Sequence, residues 1–138
     1  VELAVWNARY AGMTNVTGRC LDWREPFEEQ YPVLVGCELL YEDRNHELLI
    51  QVLDQMLARD GVAWFGDGGR VRADRFTRLL TQAGYDWSLL DEDGQQLPCL
   101  RVGRYQLLRV LVFLPESGCR VFWRKFTGLP MFFIPRSG

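Results

Sequence analysis

The sequence predicts an α/β domain, and three observations lead to that fold class. Short apolar runs alternate with stretches in which apolar residues recur at helical spacing. Val33, Leu34 and Val35 form an unbroken apolar run, which is typical of a strand buried on both faces. The last apolar run, residues 106–114, follows another strand after a polar loop. This arrangement predicts a mostly parallel sheet that ends in an antiparallel hairpin.

Each predicted element follows from its local pattern. Asn45 is the predicted N-cap of a helix whose apolar stripe runs from Leu48 to Leu57. Gly12 and Gly84 are predicted to end two other helices, since glycine readily adopts the left-handed conformation found there. The predicted order is a helix over 2–11, strands over 15–21 and 32–36, a helix over 46–59, a strand over 61–65, a helix over 73–83, and strands beginning at 87 and 106.

Composition narrows the function classes. The 138 residues suffice for one domain, and the net charge of −2 argues against general nucleic-acid binding. The four cysteines form no CxxC pair, and the single histidine, His46, has no cysteine nearby in sequence, so no metal site is predicted. Such cysteine usage predicts reduced, mostly buried thiols in a cytoplasmic protein. No apolar window is long enough to predict a membrane span.

Candidate functional residues follow the predicted strand over 32–36. Glu38 and Tyr41 place a carboxylate and a phenol at its carboxyl end, where ligands of α/β proteins collect. Asp67 lies at the next strand tip in a glycine-rich turn, where it either forms the turn, the favoured interpretation, or lines a substrate entrance. His46 is predicted to lie on the exposed first turn of a helix, without a catalytic role.

Three segments resemble class I S-adenosylmethionine-dependent methyltransferases, most closely the DxxY-type group that includes protein lysine methyltransferases. NARYAG at 7–12 resembles the end of the helix after the family's second strand. LDWRE at 21–25 resembles the tip of its third strand, and VGCELLYED at 35–43 resembles its fourth strand with a (D/E)xx(Y/F) motif. The resemblance extends over about residues 2–114 and implies a Rossmann-like fold with an antiparallel last strand.

The resemblance implies S-adenosylmethionine as the cofactor and names four residues for it. Asp22 would accept a hydrogen bond from the adenine amino group, and Trp23 would pack on the adenine ring. Gly36 and Cys37 would lie under the sulfonium through backbone contacts. The structural alternatives are a solvated Asp22, a core Trp23 and ordinary strand packing for the other two residues.

The resemblance also implies a catalytic pair and a protein substrate, with a side-chain nitrogen as the methyl acceptor. Glu38 would face the cationic amine and orient it or take its proton. Tyr41 would donate a hydrogen bond or present its ring face to the cation. The alternatives are an exposed acid at Glu38 and an anchor for the following helix at Tyr41.

One departure from the family is large, because no GxGxG loop occurs in the sequence. Residues 1–114 therefore resemble a partial methyltransferase domain that lacks the first strands, and this fragment alone is expected to be inactive. The strand over 32–36 would have an unpaired edge, which the strand over 15–21 or another chain would fill. Residues 115–138 are expected to be an extension, either a strand pair, a membrane-surface patch or an irregular segment, with apolar cover for a sheet edge favoured.

Two rival functions stay open at this point. One is a non-catalytic Rossmann-like module that binds proteins. The other is a nucleotide-dependent oxidoreductase, against which the acidic-aromatic motif at 38–41 and the closing hairpin both count.

Overall fold

The computed structural model describes residues 1–70 and 72–112, together with the backbone of residues 132 and 133. These residues form an α/β fold of helices and one mixed sheet. The elements in chain order are α1 (Glu2–Tyr10), β1 (Tyr31–Cys37), α2 (Asp43–Met56), β2 (Leu57–Asp67), α3 (Ala73–Gln82), β3 (Tyr85–Leu90), β4 (Gln96–Leu97), β5 (Gln106–Val112) and β6 (Phe132–Phe133).

The sheet has the strand order β4-β3-β5-β2-β1-β6. β1 and β2 pair in parallel and are joined by α2, which confirms the predicted crossover. β5 lies between β2 and β3 and runs antiparallel to both, which confirms the predicted hairpin. The prediction of a mostly parallel sheet is wrong: β5 separates two parallel strands, and β4 also pairs antiparallel with β3, so the sheet is mixed. Because β2 and β3 are both opposed to β5, strands β1, β2 and β3 share one direction. The carboxyl ends of β1 and β2 therefore lie side by side, with Cys37 opposite Gly66.

The hydrophobic core lies where α2 and α3 pack together on the sheet. The central strands contribute Leu34, Ala63 and Val110, each at most 2% exposed. The helices contribute apolar stripes at spacings of three and four residues, which place the side chains on one face. The buried apolar members of these stripes are Leu49, Val52, Leu53 and Met56 in α2, and Ala73, Phe76 and Leu80 in α3. Burying each large side chain contributes roughly 1.5–3 kcal/mol to folding.

The boundaries of α2 and β2 differ from the prediction. The helix begins at Asp43, so Asn45 lies inside its first turn, 7% exposed, and is not the N-cap. It ends at Met56, and β2 starts at once because Leu57 is buried and pairs with Tyr31. The register then shifts between Tyr31 and Val33, where the ladder between the two strands is irregular.

The predicted strand over 15–21 is wrong, because this segment has no strand pairing in the structure. Gly18 of this segment packs against the side chains of Val1 and Val5, which occupy the space that a Cβ at Gly18 would need. The edge of β1 is instead occupied by β6, whose residues lie opposite Leu34 and Val35. The strand expected over 15–21 therefore does not fill this edge.

Two further predictions concern the surface. The expectation of mostly buried thiols is wrong, because Cys20, Cys37 and Cys99 are all exposed.

Apart from the β6 backbone, the predicted extension over 115–138 lies outside the described residues, and so does Cys119. Within the part of the chain that is described, no helix combines the length and the apolar character required to cross a membrane.

Candidate functional site

The turn that follows β1 holds Glu38 in an unusual backbone conformation. Its φ of 55° lies in the left-handed region of backbone conformations, which residues other than Gly, Asn and Asp seldom adopt. The Glu38 N–H donates to the Gly66 carbonyl oxygen at 2.8 Å and ties the tip of β1 to β2. Leu39 and Leu40, 3% and 1% exposed, anchor the turn in the core. Strained residues persist where the surroundings fix them, and they cluster at functional sites.

The carboxylate of Glu38 faces the guanidinium of Arg70, which also lies near the ring of Tyr41. Arg70 Nη2 lies 3.1 Å and Nε 3.3 Å from Glu38 Oε2. The guanidinium carbon of Arg70 lies 5.9 Å from the centroid of the Tyr41 ring, within the range of a cation–π contact. Cys37, Glu38, Tyr41 and Arg70 line a cavity of about 310 Å³. The structure thus brings the predicted pair, Glu38 and Tyr41, together around one cation.

The tip of β2 positions Arg70 through Asp67. Asp67 is 2% exposed, and its Oδ2 accepts the N–H groups of Gly69 and Arg70 at 2.8 and 2.9 Å. Gln106 Nε2 lies 3.4 Å from the same oxygen, whereas Oδ1 is buried without a hydrogen-bond partner in the described structure. These bonds are those of an aspartate-stabilised turn, the favoured prediction for this residue. The turn fixes the backbone from which Arg70 extends.

Tyr105 covers the carboxyl ends of β1 and β2 from the start of β5. Its hydroxyl lies 3.8 Å from Cys37 Sγ and packs so closely over Gly66 that a Cβ there would collide with it. Burial raises the pKa of Tyr105, and the contact with Cys37 raises it further. The sequence reasoning missed both Tyr105 and Arg70. Tyr105 could have been expected here: the predicted last strand begins just after it, and an antiparallel strand beside β2 starts where β2 ends.

The location of His46 corrects the prediction of an exposed position. The side chain is 0% exposed, and its ring lies 5.5 Å from that of Phe76, centroid to centroid. His46 Nε2 lies 3.0 Å from the Leu40 carbonyl oxygen, so Nε2–H is the donor, and Nδ1 is buried with no hydrogen-bond partner found in the described structure. Burial lowers the pKa of His46, which keeps the ring neutral. His46 therefore holds the turn that carries Glu38 and Tyr41.

Asp22 lies outside the corner formed by Glu38, Tyr41 and Arg70. Its Oδ1 accepts hydrogen bonds from the backbone N–H and the Nε–H of Arg24, at 3.0 and 2.9 Å. The Arg24 side chain lowers the pKa of Asp22 to about 2. Asp22 lines neither the cavity beside Glu38 nor the more open one of about 490 Å³ that Tyr41 shares with Glu42, Asp43, Arg44 and Arg72.

Trp23 and Gly36 are occupied by packing. Trp23 is 4% exposed and belongs to the hydrophobic core, so no face of its ring is open to an adenine. A Cβ at Gly36 would lie 2.6 Å from Leu39 Cδ1 and 3.0 Å from the Phe65 ring, so core side chains fill the space that the glycine leaves. Of the four residues expected to hold the cofactor, Cys37 alone lines the cavity beside Glu38. Asp22 and Trp23 thus do not make the adenine contacts that the resemblance implies, and the backbone contacts expected of Gly36 and Cys37 stay a prediction.

The described residues contain no group of three or more His, Cys, Asp and Glu side chains close enough to hold a metal ion. The groups that line the corner are one carboxylate, one aromatic ring, one thiol and one guanidinium.

Neither a protein-family model nor a curated protein matches this sequence.

Proposed function

We propose that this chain is part of a class I S-adenosylmethionine-dependent methyltransferase domain, and that the corner at Glu38 and Tyr41 is its acceptor site. The observation that carries the proposal is the pairing of a cation with Glu38 beside the Tyr41 ring. A carboxylate and an aromatic face suit an ammonium or guanidinium group, as in a protein side chain. A Rossmann-like sheet is part of the same proposal.

Two features of the fold support it. The corner lies at the carboxyl ends of β1 and β2, where α/β proteins bind ligands. The last long strand, β5, is antiparallel to both of its neighbours, as the family resemblance implies. Neither feature is confined to methyltransferases, so the identity of the corner residues gives the proposal its direction.

The chemistry proposed for the corner is positioning. Glu38 would hold the acceptor nitrogen by a charge-assisted hydrogen bond and accept a proton from it. Tyr41 would stabilise the cation through its ring. Correct orientation of two reacting groups is a large part of the catalysis of a displacement reaction. The backbone strain at Glu38 fits a carboxylate kept in place for such a role.

Covalent capture tests the proposal even when affinity is low. A photoreactive S-adenosylmethionine analogue is expected to label residues within 31–41, and excess S-adenosylhomocysteine is expected to suppress the label. A photoreactive nicotinamide analogue serves as the matched control. Equal labelling by the nicotinamide analogue, or adenosyl labelling only outside 31–41, would contradict the proposal.

A non-catalytic protein-binding module is the second candidate, and specific observations favour it. Trp23 is buried and Asp22 is paired with Arg24, so two of the four residues expected to hold the cofactor are engaged elsewhere. In addition, α1 buries none of its residues, and Trp6 and Tyr10 stack on each other at the surface, 60% and 85% exposed. Exposed aromatic clusters mark contact surfaces. Failure of the adenosyl analogue to label the chain would leave this function as the better one.

A further inference from the structure

The position of Arg70 suggests that the chain carries its own occupant for the acceptor site. The guanidinium lies against the Glu38 carboxylate and within 5.9 Å of the Tyr41 ring centroid. These are the two contacts that a cationic side chain from another protein would make there. Arg70 also lines the cavity of about 310 Å³ with the same residues, so it limits access to them.

The structure does not need this ion pair to hold its backbone in place. The backbone N–H of Arg70 donates to Asp67 Oδ2 at 2.9 Å, independently of the guanidinium. On the other side, the Glu38 N–H is held by the Gly66 carbonyl oxygen and the neighbouring Leu40 carbonyl by His46. Both ends of the pair are thus fixed by other bonds, and the pair can open while the two turns stay folded.

The pair is also weak enough to open. The side chains of Arg70 and Glu38 are 56% and 43% exposed. Water screens exposed ion pairs, and ordering two long side chains costs entropy, so such pairs change stability little. A competing cation therefore has only a small interaction to replace.

We infer that Glu38 and Tyr41 form a subsite for an ammonium or guanidinium group, and that Arg70 occupies this subsite as an internal competitor. The ligand enters when the Arg70 side chain rotates away from Glu38, while the Arg70 backbone N–H keeps its hydrogen bond to Asp67. The inference rests on the proposed function for the identity of the ligand as a methyl acceptor. Cation binding itself needs no cofactor, so it can be measured separately.

The probe is N-acetyl-lysine methylamide, followed by the backbone amide shifts of Glu38 and Tyr41 in the intact chain. Removing the competitor in Arg70→Gln is expected to strengthen binding about fivefold, the upper value for losing an exposed ion pair. Arg78→Gln is the matched control, because Arg78 also pairs with a carboxylate at the surface but lies on α3 beside Asp74. The control is expected to bind like the unmodified chain.

Two double variants test the subsite in the absence of the competitor. Adding Glu38→Gln to Arg70→Gln is expected to weaken binding about fivefold, since the exposed ion pair with the ligand is lost. Adding Tyr41→Leu is expected to weaken binding about threefold, as for loss of one exposed cation–π contact. Thermal unfolding of every variant verifies that the fold is retained.

Unchanged affinity in Arg70→Gln would overturn the inference, as would equal affinity in Arg70→Gln with and without the Glu38 carboxylate. These results are distinguishable from failure of the proposed function. Loss of adenosyl labelling with intact cation binding rejects the methyltransferase alone. Intact labelling with no gain in Arg70→Gln rejects the internal competitor alone.

Discussion

His46 donates a hydrogen bond from Nε2 to the carbonyl oxygen of Leu40, over 3.0 Å, from the first part of α2 back to the turn after β1. Both residues are almost completely buried. The bond gives this buried backbone carbonyl a hydrogen-bond donor. One buried side chain thus connects the core to the backbone that presents Glu38 and Tyr41.

Removal of His46 is expected to destabilise the fold. His46→Ala would leave the Leu40 carbonyl without its donor and open a cavity beside Phe76, at a cost of about 2–4 kcal/mol in the free energy of unfolding. Chemical denaturation measures this difference. Arg44→Ala, which removes an exposed side chain of the same helix, is the control and should change stability by about 0.5 kcal/mol or less. Equal effects of the two variants would contradict the role given to His46.

Stability is expected to fall on mild acidification because of the same residue. Burial lowers the pKa of His46 from its ordinary value of 6.5, so below about pH 6.5 the unfolded chain binds a proton that the folded chain does not. Linkage then decreases the free energy of unfolding by up to about 1.4 kcal/mol per pH unit until the folded-state pKa is reached. Denaturation between pH 7.5 and 5.5 measures the slope. His46→Gln removes the single histidine, and a slope that persists in it would contradict the assignment.

Backbone strain at Glu38 predicts an unusual order of stabilities. At φ 55°, Glu38→Gly is expected to be more stable than Glu38→Ala by about 1 kcal/mol, because both lose the carboxylate but only glycine relieves the strain. Gln51, exposed within α2, is the control, where glycine should be less stable than alanine by about 0.5–1 kcal/mol. Denaturant titration of the four variants measures both differences. The same sign at both positions would contradict strain at Glu38.

Alanine substitutions at Gly69 and Gly94 distinguish the cost of a steric collision from the cost of a positive φ. Both have a positive φ, 78° and 77°, but a Cβ at Gly69 would collide with the backbone of Arg101 and Arg104, whereas a Cβ at Gly94 meets nothing. Gly94→Ala is expected to cost about 1 kcal/mol, and Gly69→Ala at least about 2 kcal/mol more. Thermal or chemical unfolding measures the difference. Similar costs would show that the loop before β5 moves aside freely.

Cofactor affinity is expected to be low in this chain. Trp23 is packed in the core, so titration calorimetry with S-adenosylmethionine should show binding weaker than micromolar. Micromolar affinity would contradict this expectation and would require Trp23 to leave the core.

The sequence predicted those parts of the fold that depend on local pattern. The helical stripe around Leu49 and Leu53 and the apolar run of β5 each bury one face, and periodicity reports this directly. The strand over 15–21 failed because a strand requires a neighbour, and the pairing of β6 with β1 is a long-range event. The burial of His46 was missed because Asn45 suggested a later helix start, which placed His46 on an exposed turn.

The sequence also predicted only the part of the candidate site that lies within one short segment. Glu38 and Tyr41 lie three residues apart in one turn, so the sequence alone brings them together. Arg70 is 32 residues from Glu38 and Tyr105 is 68 residues from Cys37, so their contacts depend on the pairing of β2 with β1 and β5. The burial of Trp23 depends on how the long loop before β1 folds over the core, which no local pattern specifies.

The pairing of Phe132–Phe133 with Leu34 and Val35 has a consequence for assembly. Any additional strand that is to join the sheet beside β1 must first displace these two residues, exchanging one set of backbone hydrogen bonds for another. Over the described residues the pairing covers two positions of each strand, so a longer competing strand would form more backbone hydrogen bonds with β1 than this part of the pairing does. At Leu34 and Val35 the edge of β1 is thus protected against chance association by a segment of the same chain.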